Sequence, residues 1–291
     1  MYKIIGEALY KRHTTPYAHD IRVHDLGHGH LEAVVMPRYA WEEVGEVTPL
    51  ALAGHAASQG NIWVDGAWSP YTPTETELLD RAARNVERSA RRAKTKVRRL
   101  CKAKGLTTMV TLTYRDNMTD RDRMARDFDV FVKRVRRVVP EFQYVCVFER
   151  QKRGAWHAHI AVPRVLSHYL HKGVLVRSYD LLRSMWRGVV GVDGGNIDVS
   201  RSKRVGRSAA RLASYLAKYI TKGFSEATSA GDSYRASGRA LPQAVVVRSS
   251  HVTLSAAVDD CMSLIRAEAD ATREFHAALL DCGGFFVVLS P

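Results

Sequence analysis

Strand-like and helix-like patterns alternate in a definite order between residues 106 and 200, and this order constrains the fold more than any other feature of the chain. β-branched segments predict strands, and apolar residues at helical spacing predict helices. The predicted strands are 106–114, 143–150, 156–162 and 196–200, and the predicted helices are 119–139, with Thr119 as N-cap, and 178–190. The resulting β-α-β-β-α-β order is typical of an α+β fold in which helices flank an antiparallel sheet.

A long basic helix is predicted over residues 74–104, ahead of this core. Thr74 and Glu77 have the spacing of a capping box, and no proline or glycine interrupts the segment. Between Arg81 and Lys104 there are 11 lysines and arginines and a single acid, so the helix should be basic around most of its circumference. Because phosphates stabilise such a helix better than water does, we expect nucleic acid to contact Arg91, Arg92, Lys94, Arg98 and Arg99.

The overall composition favours the same class of partner. The 291 residues include 44 lysines and arginines against 30 aspartates and glutamates, a net charge of +14 that favours a polyanion, although a solvated basic surface is the alternative. The four cysteines are scattered without a paired motif, which favours a reduced, cytoplasmic protein. We expect neither secretion nor membrane insertion, because the sequence contains no apolar signal core and no apolar run that could span a bilayer.

Two histidines stand two residues apart in a predicted strand. Alternation places His157 and His159 on one face, where they can share a metal ion. If the hairpin pairs Arg150 with Trp156, Glu149 lies opposite His157 and adds a carboxylate on the same face. This set suits Mn²⁺ or Mg²⁺ with open positions for phosphate oxygens. The alternative is a polar hairpin in which Glu149 forms an ordinary salt bridge.

The helix predicted at 208–222 carries two tyrosines among cations. Its apolar stripe, expected to pack on the sheet, consists of Leu212, Leu216 and Ile220. The neighbouring face carries Arg211, Tyr215, Lys218, Tyr219 and Lys222, mutually within reach. Helical tyrosines are usually half-buried packing residues. Here, however, nearby cations favour the ionised, nucleophilic phenol and can also bind phosphate.

The segments WHAHIAV and YLAKY together resemble the HUH endonuclease superfamily, in its rolling-circle replication initiator (Rep) branch from phages and plasmids. In that family the histidine strand binds a metal, and a tyrosine followed three residues later by lysine supplies the nucleophile. His157 and His159 match the first motif, and Tyr215 with Lys218 matches the second. Tyr219 gives the two-tyrosine form found in initiators of single-stranded DNA phages.

The resemblance extends over roughly residues 74–240 and implies a ferredoxin-like, HUH-type core. The segment Thr111-Leu112-Thr113-Tyr114 resembles the upstream strand motif of the family, and Glu149 stands where members often place a third, acidic metal ligand. The implied domains are an N-terminal extension of unknown role (1–72), a catalytic domain that includes the basic helix (73–240) and a C-terminal extension (241–291). Within the last, 243–254 is predicted as strand and 255–281 as helix.

The implied activity is metal-dependent, site-specific nicking of DNA. Tyr215 would attack the scissile phosphate and remain joined to its 5′ side, while the freed 3′ hydroxyl primes a host polymerase. Tyr219 could attack at the end of a round. Because the sequence has no GxxxxGK[ST] loop, a host helicase would separate the strands. The implied partner is single-stranded or locally melted origin DNA in the cytoplasm of a bacterial host.

Two other interpretations remain open. Conjugative relaxases share the histidine strand, but their nucleophile usually lies near the amino terminus and a third histidine follows, whereas Ala161-Val162-Pro163 follow here. A non-catalytic RNA- or DNA-binding module with the same strand order would stack bases on aromatic residues of the sheet, where this strand offers histidines. A zinc hydrolase is disfavoured, because the sequence has no HExxH helix.

Overall fold

The computed structural model describes residues 2–5, 8–46, 61–64, 67–70, 73–200, 209–224, 234–266 and 274–291. Within them the helices are α1 (Glu75–Ala103), α2 (Arg121–Arg136), α3 (Ser178–Val190), α4 (Ala209–Phe224) and α5 (Leu254–Leu264). The strands are β1 (Tyr2–Ile5), β2 (Ala8–Arg12), β3 (Ala18–Asp25), β4 (Leu31–Arg38), β5 (Trp41–Glu46), β6 (Asn61–Val64), β7 (Ala67–Pro70), β8 (Thr108–Tyr114), β9 (Val145–Arg150), β10 (Trp156–Val162), β11 (His168–His171), β12 (Val174–Arg177), β13 (Gly195–Ser200), β14 (Arg235–Ala236), β15 (Val245–Ser249), β16 (Glu274–Leu279) and β17 (Phe285–Ser290). None of these helices combines the length and the apolar character needed to cross a membrane.

The chain forms two compact units, and one of them, residues 26–30, 83–242 and 291, contains the predicted core. Its sheet has the strand order β13-β8-β10-β9-β14 in the described residues, and all neighbouring strands are antiparallel. Helix α2 connects β8 to β9, and α3 precedes β13, which gives the β-α-β-β-α-β order. The prediction of an α+β fold with helices flanking an antiparallel sheet is therefore confirmed. The hairpin β11–β12, which the sequence did not reveal, is inserted before α3.

One face of this sheet packs against α2 and α3. Because side chains alternate along β10, Trp156, Ala158 and Ile160 all enter this core. The indole N–H of Trp186 donates to the carbonyl oxygen of Thr113 at 2.9 Å, which satisfies a polar group inside the core. The largest fully buried rings of the core are Phe128, Phe131 and Trp186.

The other face of the sheet is covered by α4 and by the C-terminal half of α1. The predicted apolar stripe of α4 is confirmed, because Leu212, Leu216 and Ile220 are all buried. The expectation that α1 is basic around most of its circumference is wrong for this half. A stripe at helical spacing is buried on the sheet: Ala90, Ala93, Val97, Leu100 and Cys101. The count of charges hid this stripe, because long cationic side chains occupy the rest of the surface.

The starts of two helices test the capping predictions. At α1 the capping box is confirmed, because Thr74 N donates to Glu77 Oε2 at 2.9 Å and Glu77 N donates to Thr74 Oγ1 at 3.3 Å. At α2 the prediction of Thr119 is wrong. Asp120 is the N-cap, and its Oδ1 accepts from two backbone N–H groups at 2.9 and 3.0 Å. The carbonyl of Thr119 instead accepts the indole N–H of Trp156.

Replacing Asp120 with alanine is expected to lower the free energy of unfolding by about 1 kcal/mol, because two helical N–H groups lose their acceptor. Urea unfolding followed by circular dichroism measures the change. Thr119→Ala is the matched control, since the backbone carbonyl rather than the side chain makes the contact of that residue. An equal loss in both variants would assign the effect to something other than capping.

The second unit, residues 1–25, 31–82 and 243–290, joins both ends of the chain in one sheet of order β15-β3-β4-β17-β16. Helix α5 packs on it through Ala257 and Cys261. The helix predicted over 255–281 is correct only at its start, because α5 ends at Leu264 and Glu274–Leu279 is strand β16. The pairing of β16 with β17 decides this, because strand preference depends on such contacts more than on the sequence of the segment itself.

Candidate active site

Strands β9 and β10 pair in the predicted register. Arg150 lies opposite Trp156, and Glu149 lies opposite His157. Both histidines face the side of the sheet that α4 covers, and both are buried, with 8% of His157 and 7% of His159 exposed. The alternation of β10 thus separates the candidate site from the core formed with α2 and α3.

His159 is held by three neighbours. Its Nε2 lies 2.8 Å from Oε2 of Glu149, and its Nδ1 lies 3.3 Å from Oγ1 of Thr111, which is its direct partner in the β8–β10 ladder. The ring of Tyr219 stacks on the imidazole, with centroids 4.3 Å apart and planes 10° from parallel. These contacts fix the imidazole with Nε2 directed at the carboxylate.

His157 is held by the loop between β9 and β10. The amide Nε2 of Gln151 lies 3.1 Å from His157 Nδ1, while Gln151 Oε1 accepts from Arg153 Nε at 3.2 Å. Arg153 therefore orients the amide so that its NH₂ group faces the imidazole. Burial lowers the pKa of His157, and the neighbouring His159 and Arg153 lower it further, against the opposing charge of Glu149. The neutral imidazole, the form that can bind a metal, is favoured.

The lowered pKa of His157 predicts a pH dependence of folding in metal-free buffer. The contribution of the neutral imidazole to the free energy of unfolding is fully present above the unfolded pKa, about 6.5, and is lost as pH falls through the folded pKa. We expect His157→Gln to lose less stability than the wild type between about pH 7.5 and about pH 5. Urea unfolding at both pH values measures the difference, and parallel pH profiles would contradict the assignment.

The donor set around these histidines fits a divalent cation by its chemistry. Two imidazoles and a carboxylate are ligands that Mn²⁺ accepts, and they leave positions for phosphate oxygens. The donor atoms are not gathered at one point, however. Glu149 bonds to His159, and the ring centroids of His157 and His159 are 6.4 Å apart. Across the described ranges, no group of three or more His, Cys, Asp or Glu side chains is placed to hold a metal ion. Binding would require side-chain rotations, and the metal stays a prediction.

Tyr215 and Tyr219 stand one turn apart on α4 and differ in their surroundings. The hydroxyl of Tyr219 donates a hydrogen bond to the hydroxyl of Tyr215, and the rings meet edge to face with centroids 5.1 Å apart. Tyr219 is half-buried against His159, whereas 41% of Tyr215 is exposed. Burial raises the pKa of Tyr219, and the hydrogen bond to Tyr215 and the charge of Glu149 raise it further. Tyr219 is thus a protonated donor, and Tyr215 carries the accessible oxygen.

The predicted cationic residues lie on two helices. On α4, Arg211 and Lys218 are exposed, and the side chain of Lys222 lies outside the described residues. On α1, Arg91 and Arg92 are exposed, while Lys94, Arg98 and Arg99 are partly exposed. Both helices cover the sheet face that carries the histidines.

Sequence reasoning missed two contacts of this cluster. Thr111 belongs to a segment singled out for its resemblance, but its bond to His159 was not foreseen. Strand alternation could have found it once β8 was paired with β10. Gln151 lies in the hairpin loop, and no period or motif signals its bond to His157.

Residues 107–224 match the sequence model of a family of replication-associated proteins, described under the heading Replication-associated protein ORF2. The matched segment contains the whole cluster of histidines, carboxylate and tyrosines. No curated protein and no solved structure matches the chain. The family match supports a replication-associated protein that interacts with DNA.

Proposed function

We propose that this chain is a rolling-circle replication initiator of HUH type that nicks and rejoins DNA through a tyrosine. The observation that carries the proposal is the contact between two separate motifs: Tyr219 stacks on His159 and is hydrogen-bonded to Tyr215. The tyrosine helix and the histidine strand therefore contribute to one site. The family match over the same segment supports the replication context.

In the proposed reaction, Tyr215 attacks the scissile phosphorus of single-stranded or locally melted origin DNA. The phenol gives up its proton, the bond from its oxygen to phosphorus forms, and the bond from phosphorus to the 3′ oxygen breaks. The 3′ oxygen takes up a proton and becomes a hydroxyl that a host polymerase extends. One phosphoester replaces another, so the strand can be rejoined without a further energy source.

Tyr219 assists this step as a hydrogen-bond donor. Its O–H group points at the oxygen of Tyr215, where negative charge develops when the proton leaves. Because the pKa of Tyr219 is raised, Tyr219 keeps its own proton and remains a donor. Stacking on His159 holds the donor in place, so the arrangement needs no reorganisation when the charge appears.

His157, His159 and Glu149 would hold the divalent metal, Mn²⁺ or Mg²⁺. When bound, such an ion supplies a Lewis acid that offsets the charge of the scissile phosphate. Thr111 and Gln151 engage the Nδ1 atoms of the two imidazoles and so direct both Nε2 atoms away from these supports. Arg211, Lys218 and Lys222 on α4 would bind neighbouring phosphates, as would the cations of α1.

The proposal is tested by incubating the full chain with single-stranded origin DNA and Mn²⁺ and separating the products on a denaturing gel. The expected result is a covalent adduct of the chain with the 5′ side of the cut, together with a free 3′ end. A second assay uses supercoiled plasmid, from which a nickase forms open circles. A non-catalytic binding module would leave the plasmid supercoiled and form no adduct, and this result would overturn the proposal.

A further inference from the structure

An open depression of about 610 Å³ lies along the C-terminal half of α1, away from the histidine cluster. We call it the α1 cleft. It is lined by Arg91, Arg92, Thr95, Lys96, Arg99 and Leu241. The lining therefore consists of four cations, one hydroxyl and one apolar side chain.

The fold holds these cations on a fixed element. On the opposite side of α1, Ala93, Val97 and Leu100 are buried against the sheet, so the helix cannot rotate to present another face. Leu241 packs against the same core and forms the apolar part of the cleft. The cleft is therefore a shaped surface rather than a solvated stretch of charge.

The spacing along the cleft suits one nucleic acid strand. Arg91, Thr95 and Arg99 follow each other at intervals of four residues, about 6 Å along the helix axis, and Arg92 and Lys96 form a second such row. The two rows give a single short file of positive charge about 12 Å long. A duplex would present two backbones on either side of a groove about 12 Å wide, and its stacked bases could not reach the apolar floor.

The cations of the cleft are available to a phosphate in spite of one ion pair. Arg91 forms a salt bridge with Glu87 at 2.6 Å, but both partners are largely exposed, and such a pair is weak in water. A phosphate that approaches Arg92 and Lys96 meets cations on a helix already oriented for it. Neutralising each phosphate releases counterions, which makes binding depend on salt.

We propose that the α1 cleft binds a short segment of single-stranded nucleic acid, with phosphates on its cations and an unstacked base against Leu241. The proposal deepens the proposed function by naming the form of DNA that the chain holds outside the cleavage site, and it rests on that function only for the partner being DNA. Of the residues predicted from charge on α1, the cleft selects Arg91, Arg92 and Arg99 and adds Lys96.

The test measures affinity for a mixed-sequence single strand of about 20 nucleotides, and for the same sequence as a duplex, at several salt concentrations. All proteins carry Tyr215→Phe, so that cleavage plays no part and a failed nicking assay does not affect the result. Arg92→Gln/Lys96→Gln removes two cleft cations. Arg84→Gln/Arg88→Gln removes two exposed cations of the same helix outside the cleft and is the matched control.

We expect the cleft variant to bind the single strand on the order of tenfold more weakly at 0.1 M salt, and the slope of log K against log salt to fall by about 1.4. The control should stay within about twofold, as should Arg92→Lys/Lys96→Arg, which keeps the charges. Thermal unfolding of each variant verifies that the fold is intact. Equal losses in the cleft variant and the control, or equal losses on single strand and duplex, would overturn the proposal.

Discussion

Tyr215→Phe is expected to abolish the covalent protein–DNA adduct, with a loss of at least about a thousandfold in nicking rate. The phenyl ring keeps its packing but has no oxygen to attack phosphorus. Tyr215 is the phenol that solvent and substrate reach, with 41% of the residue exposed, and its oxygen accepts the hydrogen bond of Tyr219. Adduct yield on a denaturing gel, with single-stranded origin DNA and Mn²⁺, measures the effect.

Tyr219→Phe separates the two phenols. The ring can still stack on His159, but the donor to Tyr215 is lost. A hydrogen bond to a charged oxygen contributes about 1.5–3 kcal/mol, so adduct formation should slow by roughly tenfold to a hundredfold and still be detectable. If Tyr219 also attacks at the end of a round, release of the circular product fails in this variant.

The tyrosine variants share one control and one contrary outcome. Tyr179→Phe removes a hydroxyl on α3, on the other side of the sheet, and should leave adduct formation unchanged. An adduct that persists in Tyr215→Phe and disappears in Tyr219→Phe would reverse the assignment of nucleophile and donor. Unchanged cleavage and unchanged circle release in Tyr219→Phe would remove that residue from the mechanism.

His159→Ala is expected to reduce nicking by about a hundredfold or more. Loss of a group that only supports a metal ligand costs about tenfold to a hundredfold, and His159 is itself a predicted ligand. The same substitution removes the partner of Glu149 and the ring on which Tyr219 stacks. The rate should be measured over a range of Mn²⁺ concentrations, because a lost ligand raises the concentration needed for half-maximal rate.

His168→Ala is the matched control for this variant, because His168 is an exposed histidine of the β11–β12 hairpin. Chelation of divalent ions should stop nicking by the wild type and by His168→Ala alike, and added Mn²⁺ should restore both. Nicking that continues in the presence of a chelator, or a His159→Ala variant with wild-type metal dependence, would contradict the metal assignment.

Much of the fold was predictable, because its signals are local. The bounds of β10 and α3 agree with the predicted 156–162 and 178–190, since a strand of alternating environment and an amphipathic helix each carry their period in the sequence. The pairing of Glu149 with His157 followed from the length of the hairpin loop. Helix α4 begins at Ala209, next to the predicted residue 208, and extends past the glycine that was expected to end it.

The errors arose where contacts between distant segments decided the outcome. Asp120 rather than Thr119 caps α2, because Thr119 is tied to Trp156 of β10. The segment after Leu264 was predicted as helix, yet Glu274–Leu279 pairs with β17. In α1 the apolar stripe is sparse among cations, and only the sheet beneath it shows which side of the helix is covered.

The sequence by itself determined which side chains share a face: His157 with His159 on a strand, and the tyrosines beside an apolar stripe on a helix. These are properties of a period that is carried by the chain locally. The tertiary structure decided that Glu149 bonds to His159 although it lies opposite His157, and that Tyr219 rather than Tyr215 contacts the histidine. Those contacts depend on how α4 lies across the sheet and on side-chain rotamers, and no local period encodes either.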